Sequence, residues 1–174
     1  NMGRLREAGL EILKSHGFTL PEESRLAFIL GTGWSDPDIL KDEGFKLERE
    51  ISFAEAGINP GDGAGHPNRF LIGTWHDREV VISQGRVHLY QEVPGQESLI
   101  RKWMSVLLAL MDGSDRIVIT SSVGGLYDGP KTGTVVQPIG LVSAHLPQPY
   151  LNGDEGEFVM SEHLLWVEHE EAGI

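Results

Sequence analysis

Residues 26–30, Leu-Ala-Phe-Ile-Leu, run without a polar interruption into Gly31-Thr32-Gly33. A short apolar run of this kind reads as a strand buried on both faces, and the glycines that follow mark an abrupt turn at its end. Open α/β sheets are built from strands that end in this way, and they place ligands in the crevice outside the carboxyl ends of those strands. The junction therefore constrains the chain to an α/β class and says where to look for chemistry. With 22 glycines among 174 residues, more than average usage, the chain has the means to make several such turns.

The rest of the pattern supports that class. Leu5, Ala8, Gly9, Ile12 and Leu13 recur at helical spacing, so residues 3–16 are expected to form an amphipathic helix ending near Gly17. Further strands are expected at 70–74, 79–83, 116–120 and 134–142. Residues 98–111 are apolar nearly all round, which implies a buried helix. Strand 79–83, helix 98–111 and strand 116–120 then make a right-handed βαβ unit in a mixed sheet, with 116–120 as a central strand. Segments 58–68 and 148–157 read as loops, and 161–172 as a last amphipathic helix with Ser161 as its N-cap. The expected architecture is a single α/β domain over 1–174, a mixed central sheet flanked by helices.

Composition limits the partners. A formal net charge of −12 would repel a nucleic-acid backbone, and no stripe of Lys and Arg offsets it. No apolar run approaches membrane-spanning length and the N-terminus carries no signal segment, so neither nucleic acid nor membrane is expected, and a cytoplasmic location is. The absence of cysteine excludes disulfides, thiolate metal sites and a cysteine nucleophile. No histidine pair has metal-ligand spacing, and neither Gly-x-x-x-x-Gly-Lys nor Gly-x-Gly-x-x-Gly before a helix is present, so no metal or nucleotide cofactor is expected. A small anion remains compatible, because a few arginines and backbone N–H groups hold one against a negative background.

Four polar segments fall at strand ends or in glycine-rich loops. Gly31-Thr32-Gly33 lets the backbone approach an anion while Thr32 supplies a hydroxyl, although such a turn also occurs without any ligand. Gln84-Gly85-Arg86-Val87-His88-Leu89-Tyr90 follows strand 79–83, and continued extension would send Arg86, His88 and Tyr90 to one face. Arg86 is a forked cation suited to phosphate oxygens and His88 a hydrogen-bond donor, yet the pair equally suits surface ion pairing. Thr120-Ser121-Ser122-Val123-Gly124-Gly125-Leu126 ends a strand with hydroxyls and glycines, which serves a ligand wall or a Ser-Gly turn. His66, in Gly65-His66-Pro67-Asn68-Arg69, is placed to reach over a ligand or to remain solvated.

In this order and spacing, the four segments resemble the trimeric purine nucleoside phosphorylase family, whose relatives include methylthioadenosine phosphorylase. The likeness spans about residues 25–146. It implies that Thr32, Arg86, His88 and the Ser122 backbone hold phosphate, that His66 contacts phosphate or sugar, and that Tyr90 meets the ribose. Val123 and Gly124 would line the base pocket, and His88 and His66 would be the catalytic histidines. The implied reaction is phosphorolysis of a purine nucleoside to free base and ribose 1-phosphate, with phosphate as co-substrate, no cofactor, and a homotrimer as the assembly. Three departures are visible. Thr32 stands where the family often has Ser, Ser121-Ser122-Val123 stand where it has Asn-Ala-Ala, and the sequence stops before the family's base-binding segments. An alternative therefore stands beside the enzyme: a family-derived module that binds phosphate or nucleoside without turnover.

Overall fold

The computed structural model describes residues 2–20, 25–60, 66–93, 95–125, 129–137 and 170–171. Its contacts divide into a main unit, Met2–Ser122, and a second one beginning at Val123. The main unit holds α1 (Met2–Ser15), β1 (Arg25–Leu30), α2 (Pro37–Asp42), β2 (Lys46–Ser52), β3 (Arg69–Trp75), β4 (Arg78–Gln84), α3 (Leu99–Met111) and β5 (Ser114–Ile119), with a 3-10 turn at Leu89–Gln91. In the second unit β6 (Val136–Gln137) pairs antiparallel with β7 (Glu170–Glu171). No helix among the described residues is long and apolar enough to cross a membrane.

The main unit is α/β with a mixed five-stranded sheet in the order β2-β3-β4-β1-β5. β1 runs parallel to both β4 and β5, while β3 runs antiparallel to β2 and β4. Alternation along the strands builds two apolar faces. Leu30, Leu71, Val80 and Ile82 gather with Phe45 on one, joined by Leu26, Phe28, Leu40 and Trp75. On the other, Ser83 accepts a hydrogen bond from Trp103 Nε1 of α3 at 3.3 Å. Ile100, Trp103, Val106, Leu107 and Leu110 of α3 are buried, as a helix apolar on most sides requires. Ser98 caps its first turn by accepting from the Arg101 N–H at 3.1 Å, and Glu92 Oε1 accepts from the Ile100 N–H at 2.7 Å. α1 crosses α3 closely, and Gly9 permits it: a Cβ there would overlap the Ser105 carbonyl.

Several expectations need correction. β5 is an edge strand among the described residues, not a central one, and Ile117, Val118 and Ile119 are exposed. An apolar run signals that both faces want cover, which says nothing about the order of strands. The expected strand–helix–strand order is met by β4, α3 and β5, which run parallel to each other with β1 between them in the sheet. The extended conformation does not continue through 86–90. His88 N–H donates to Gln91 Oε1 at 2.7 Å and Gln91 N–H to the His88 carbonyl at 3.0 Å, closing a turn instead. Glu170–Glu171 form strand rather than helix, and the rest of 161–172, with Ser161, lies outside the described residues. Of the strand expected at 134–142, β6 covers Val136–Gln137, and 138–142 lie outside the description, as do loop 148–157 and residues 61–65 of loop 58–68.

Candidate functional site

Parallel pairing of β4 and β5 with β1 brings three carboxyl ends together, and the backbone ties them. Gly85 N–H donates to the Leu30 carbonyl at 3.0 Å, and Thr120 N–H to the Ile29 carbonyl at 2.9 Å. Gly31 N–H in turn donates to Thr120 Oγ1 at 3.0 Å. Gly31 is buried between these ends, where an added Cβ would stand 2.6 Å from the Thr120 carbonyl oxygen and 3.1 Å from an Arg86 guanidinium nitrogen. The loop 31–36 therefore passes as close to the neighbouring strand end as a backbone can, and no larger residue fits.

Six of the expected site residues lie here within the main unit. Thr32 Oγ1 lies 3.3 Å from His66 Nε2, and Ser122 Oγ donates to the Thr32 carbonyl at 2.7 Å. The His66 and His88 rings stack with centroids 6.5 Å apart, and His88 stacks in turn on Tyr90 at 5.1 Å, the two planes nearly parallel at 9°. Arg86 Nη2 donates to Ser121 Oγ at 2.8 Å, while its Nε is buried with no partner among the described residues. Tyr90 is 73% exposed, a ring offered to solvent beyond the histidines. Val123 and Gly124 belong to the second unit and are exposed there.

The electrostatics are those of a neutral imidazole pair beside a fixed cation. Burial, and then Arg86, pushes the His66 pKa below the ordinary histidine value. The same two causes, with His66 added, lower His88. Both rings are thus held as neutral donors and acceptors near pH 7, and Arg86 supplies the positive charge. The Thr32 hydroxyl adds a further donor, while the Ser121 hydroxyl accepts from Arg86 and the Ser122 hydroxyl donates to the Thr32 carbonyl. Such a cluster suits a tetrahedral oxyanion. Among the described residues no three His, Asp or Glu side chains gather to hold a metal ion.

The arrangement rests on residues that local sequence patterns did not single out. Ser35 is buried, and its Oγ lies 3.1 Å from His66 Nδ1. Its carbonyl accepts from Gln84 Nε2 at 3.2 Å; Gln84 is fully buried, and its Oε1 accepts from Arg69 Nε at 2.7 Å. Arg69 Nη1 pairs with Glu50 at 2.8 Å. For Gln84 a signal existed, since an amide closing an apolar strand must find partners. For Ser35, inside Trp34-Ser35-Asp36-Pro37, none did. Compared with protein families and with curated proteins, the sequence finds no match.

Proposed function

We propose that the strand-end cluster of the main unit binds inorganic phosphate, and that the protein is a purine nucleoside phosphorylase-like glycosyltransferase. The observation that carries this is the meeting of Thr32, His66, Arg86, His88 and Ser122 at the carboxyl ends of parallel strands, the order in which the sequence resembles that family. Arg86 takes phosphate oxygens as a forked cation, and neutral His66 and His88 donate without adding repulsion to one another. Thr32 Oγ1 donates from the glycine loop, and the Ser122 hydroxyl, bonded to the Thr32 carbonyl, fixes that loop against the end of β5.

In the reaction, one phosphate oxygen forms a bond to the anomeric carbon as the bond from that carbon to the purine nitrogen breaks. The electron pair leaves with the base, which takes up a proton, and the products are free purine and ribose or deoxyribose 1-phosphate. Holding the dianion beneath the sugar supplies both proximity to the nucleophile and stabilisation of the positive charge that develops on the ribose. Tyr90, exposed beyond His88, is the sugar contact. The fold belonging to this reading is that of the nucleoside phosphorylases, with a homotrimer as its assembly.

The test is release of free base from inosine, guanosine, adenosine and methylthioadenosine, each with and without phosphate. Phosphate-dependent release supports the reading and identifies the base class. Release that ignores phosphate would make the protein a hydrolase. Phosphate binding without release from any of the four would replace the enzyme with a binding module.

A further inference from the structure

A neutral imidazole has one N–H and one lone pair, so its usefulness depends on which nitrogen carries the proton. His66 is flanked by a hydroxyl on each side: Ser35 Oγ at 3.1 Å from Nδ1 and Thr32 Oγ1 at 3.3 Å from Nε2. The two hydroxyls differ in how firmly they are held. Thr32 is exposed, whereas Ser35 is 5% exposed and fastened through its own backbone. Gln84 does the fastening. An arginine only donates, so Arg69 Nε fixes the Gln84 amide with its oxygen toward Arg69, and the amide nitrogen then faces the Ser35 carbonyl. The Glu50 carboxylate anchors Arg69 from the other side.

We propose that Ser35 is the positioning residue that sets the tautomer of His66, its hydroxyl donating to Nδ1 so that the imidazole proton sits on Nε2, facing the Thr32 hydroxyl and the anion. This rests on the phosphate reading of the site. The chemistry runs in one direction. An anion offers only acceptors at this point, so Nε2 serves it as N–H; Nδ1 is then the lone pair, and the hydroxyl beside it must be the donor. A chain of hydrogen bonds that runs inward from the exposed Glu50 through half-buried Arg69 to buried Gln84 and Ser35 thereby ends in a donor aimed at the ligand. None of these four residues touches phosphate itself.

The experiment is nitrogen-15 NMR of the histidine side chains in the full chain, with His66 assigned by the signals lost in His66→Gln, alongside titration with inorganic phosphate. Protonation of Nε2 in the unsubstituted protein is the expected result. Protonation of Nδ1 would overturn the proposal whatever the variants do. Ser35→Ala should weaken phosphate affinity about tenfold, the effect of one hydrogen bond lost from a preorganised site, and mix the two tautomers. Ser35→Thr keeps the hydroxyl and should restore the Nε2–H signature. A variant that loses affinity while His66 stays wholly Nε2-protonated would make Ser35 structural and defeat the proposal. Failure of the unsubstituted protein to bind phosphate would sink the phosphate reading instead, with the tautomer still reported by its own signals.

Discussion

Arg86 spends one donor on Ser121 and keeps a buried Nε with no partner among the described residues, so its guanidinium is the strongest local attraction for an anion. Charge-assisted bonds contribute roughly 1.5 to 3 kcal/mol each, so Arg86→Ala should weaken phosphate binding by about ten- to a hundredfold. The urea midpoint should fall only slightly, because the side chain makes a single exposed hydrogen bond, to Ser121, between two strand ends, and unchanged phosphate affinity would remove Arg86 from the site. The histidines carry a second prediction. Their pKa values are lowered first by burial and then by Arg86, so the unfolded chain takes up their protons before the folded one does. Stability is therefore complete above the unfolded value of about 6.5 and is lost as pH falls from there toward the lowered folded values. Urea midpoints at pH 7.5 and 5.5 should show this loss, and the double variant His66→Gln, His88→Gln should show less of it. A midpoint equally pH-dependent in the double variant would place the titration elsewhere. The residues proposed to meet phosphate were legible because their types announce chemistry at strand ends. Ser35 was not, because its role comes from Gln84, whose place in β4 opposite the loop exists only once the sheet is formed.

Elements succeed or fail in the sequence according to how much of their surface is buried. α3 was legible at both ends because seven of its residues are buried, and β1 and β4 because both of their faces are covered. β2 was not, since Lys46, Leu47, Glu48, Arg49 and Glu50 are all exposed and Ile51 alone is buried, which leaves no alternation to read. The hairpin between β3 and β4 was equally mute: His76 and Asp77 take φ of 49° and 59° without a glycine to advertise the turn. The contact between α1 and α3 gives a prediction at this scale. Gly9→Ala gains about 1 kcal/mol of helix propensity, yet its methyl group meets the Ser105 carbonyl and the Val106 nitrogen, which are backbone and cannot rotate aside. Overpacking of this kind costs about 1–3 kcal/mol, so the net effect should be a lower urea midpoint. A midpoint at or above that of the unsubstituted protein would show that the two helices separate at little cost.

At the scale of the whole molecule two forces oppose each other in solution. The chain carries a formal net charge of −12, so copies repel one another at long range. β5 meanwhile presents Ile117, Val118 and Ile119 at 53%, 41% and 64% exposure, apolar residues on both faces of a strand that pairs on one side with β1. Long apolar edges of this kind favour association between chains, at short range, by strand pairing or by face burial. The ranges differ, and salt separates them: at 0.15 M the charge is felt over about 8 Å and at 1 M over about 3 Å, whereas apolar burial is not screened. Self-association should therefore rise with protein concentration and rise again as salt is increased, the reverse of what an ion-paired interface would do. Ile117→Lys puts a charge in the middle of the apolar edge without touching the proposed phosphate cluster. In sedimentation velocity at matched concentration and high salt it should shift the protein toward monomer while leaving phosphate affinity unchanged. A monomer at every salt concentration, or an assembly indifferent to Ile117→Lys, would show that this edge is not what brings copies together, and the homotrimer of the proposed enzyme would then need another surface.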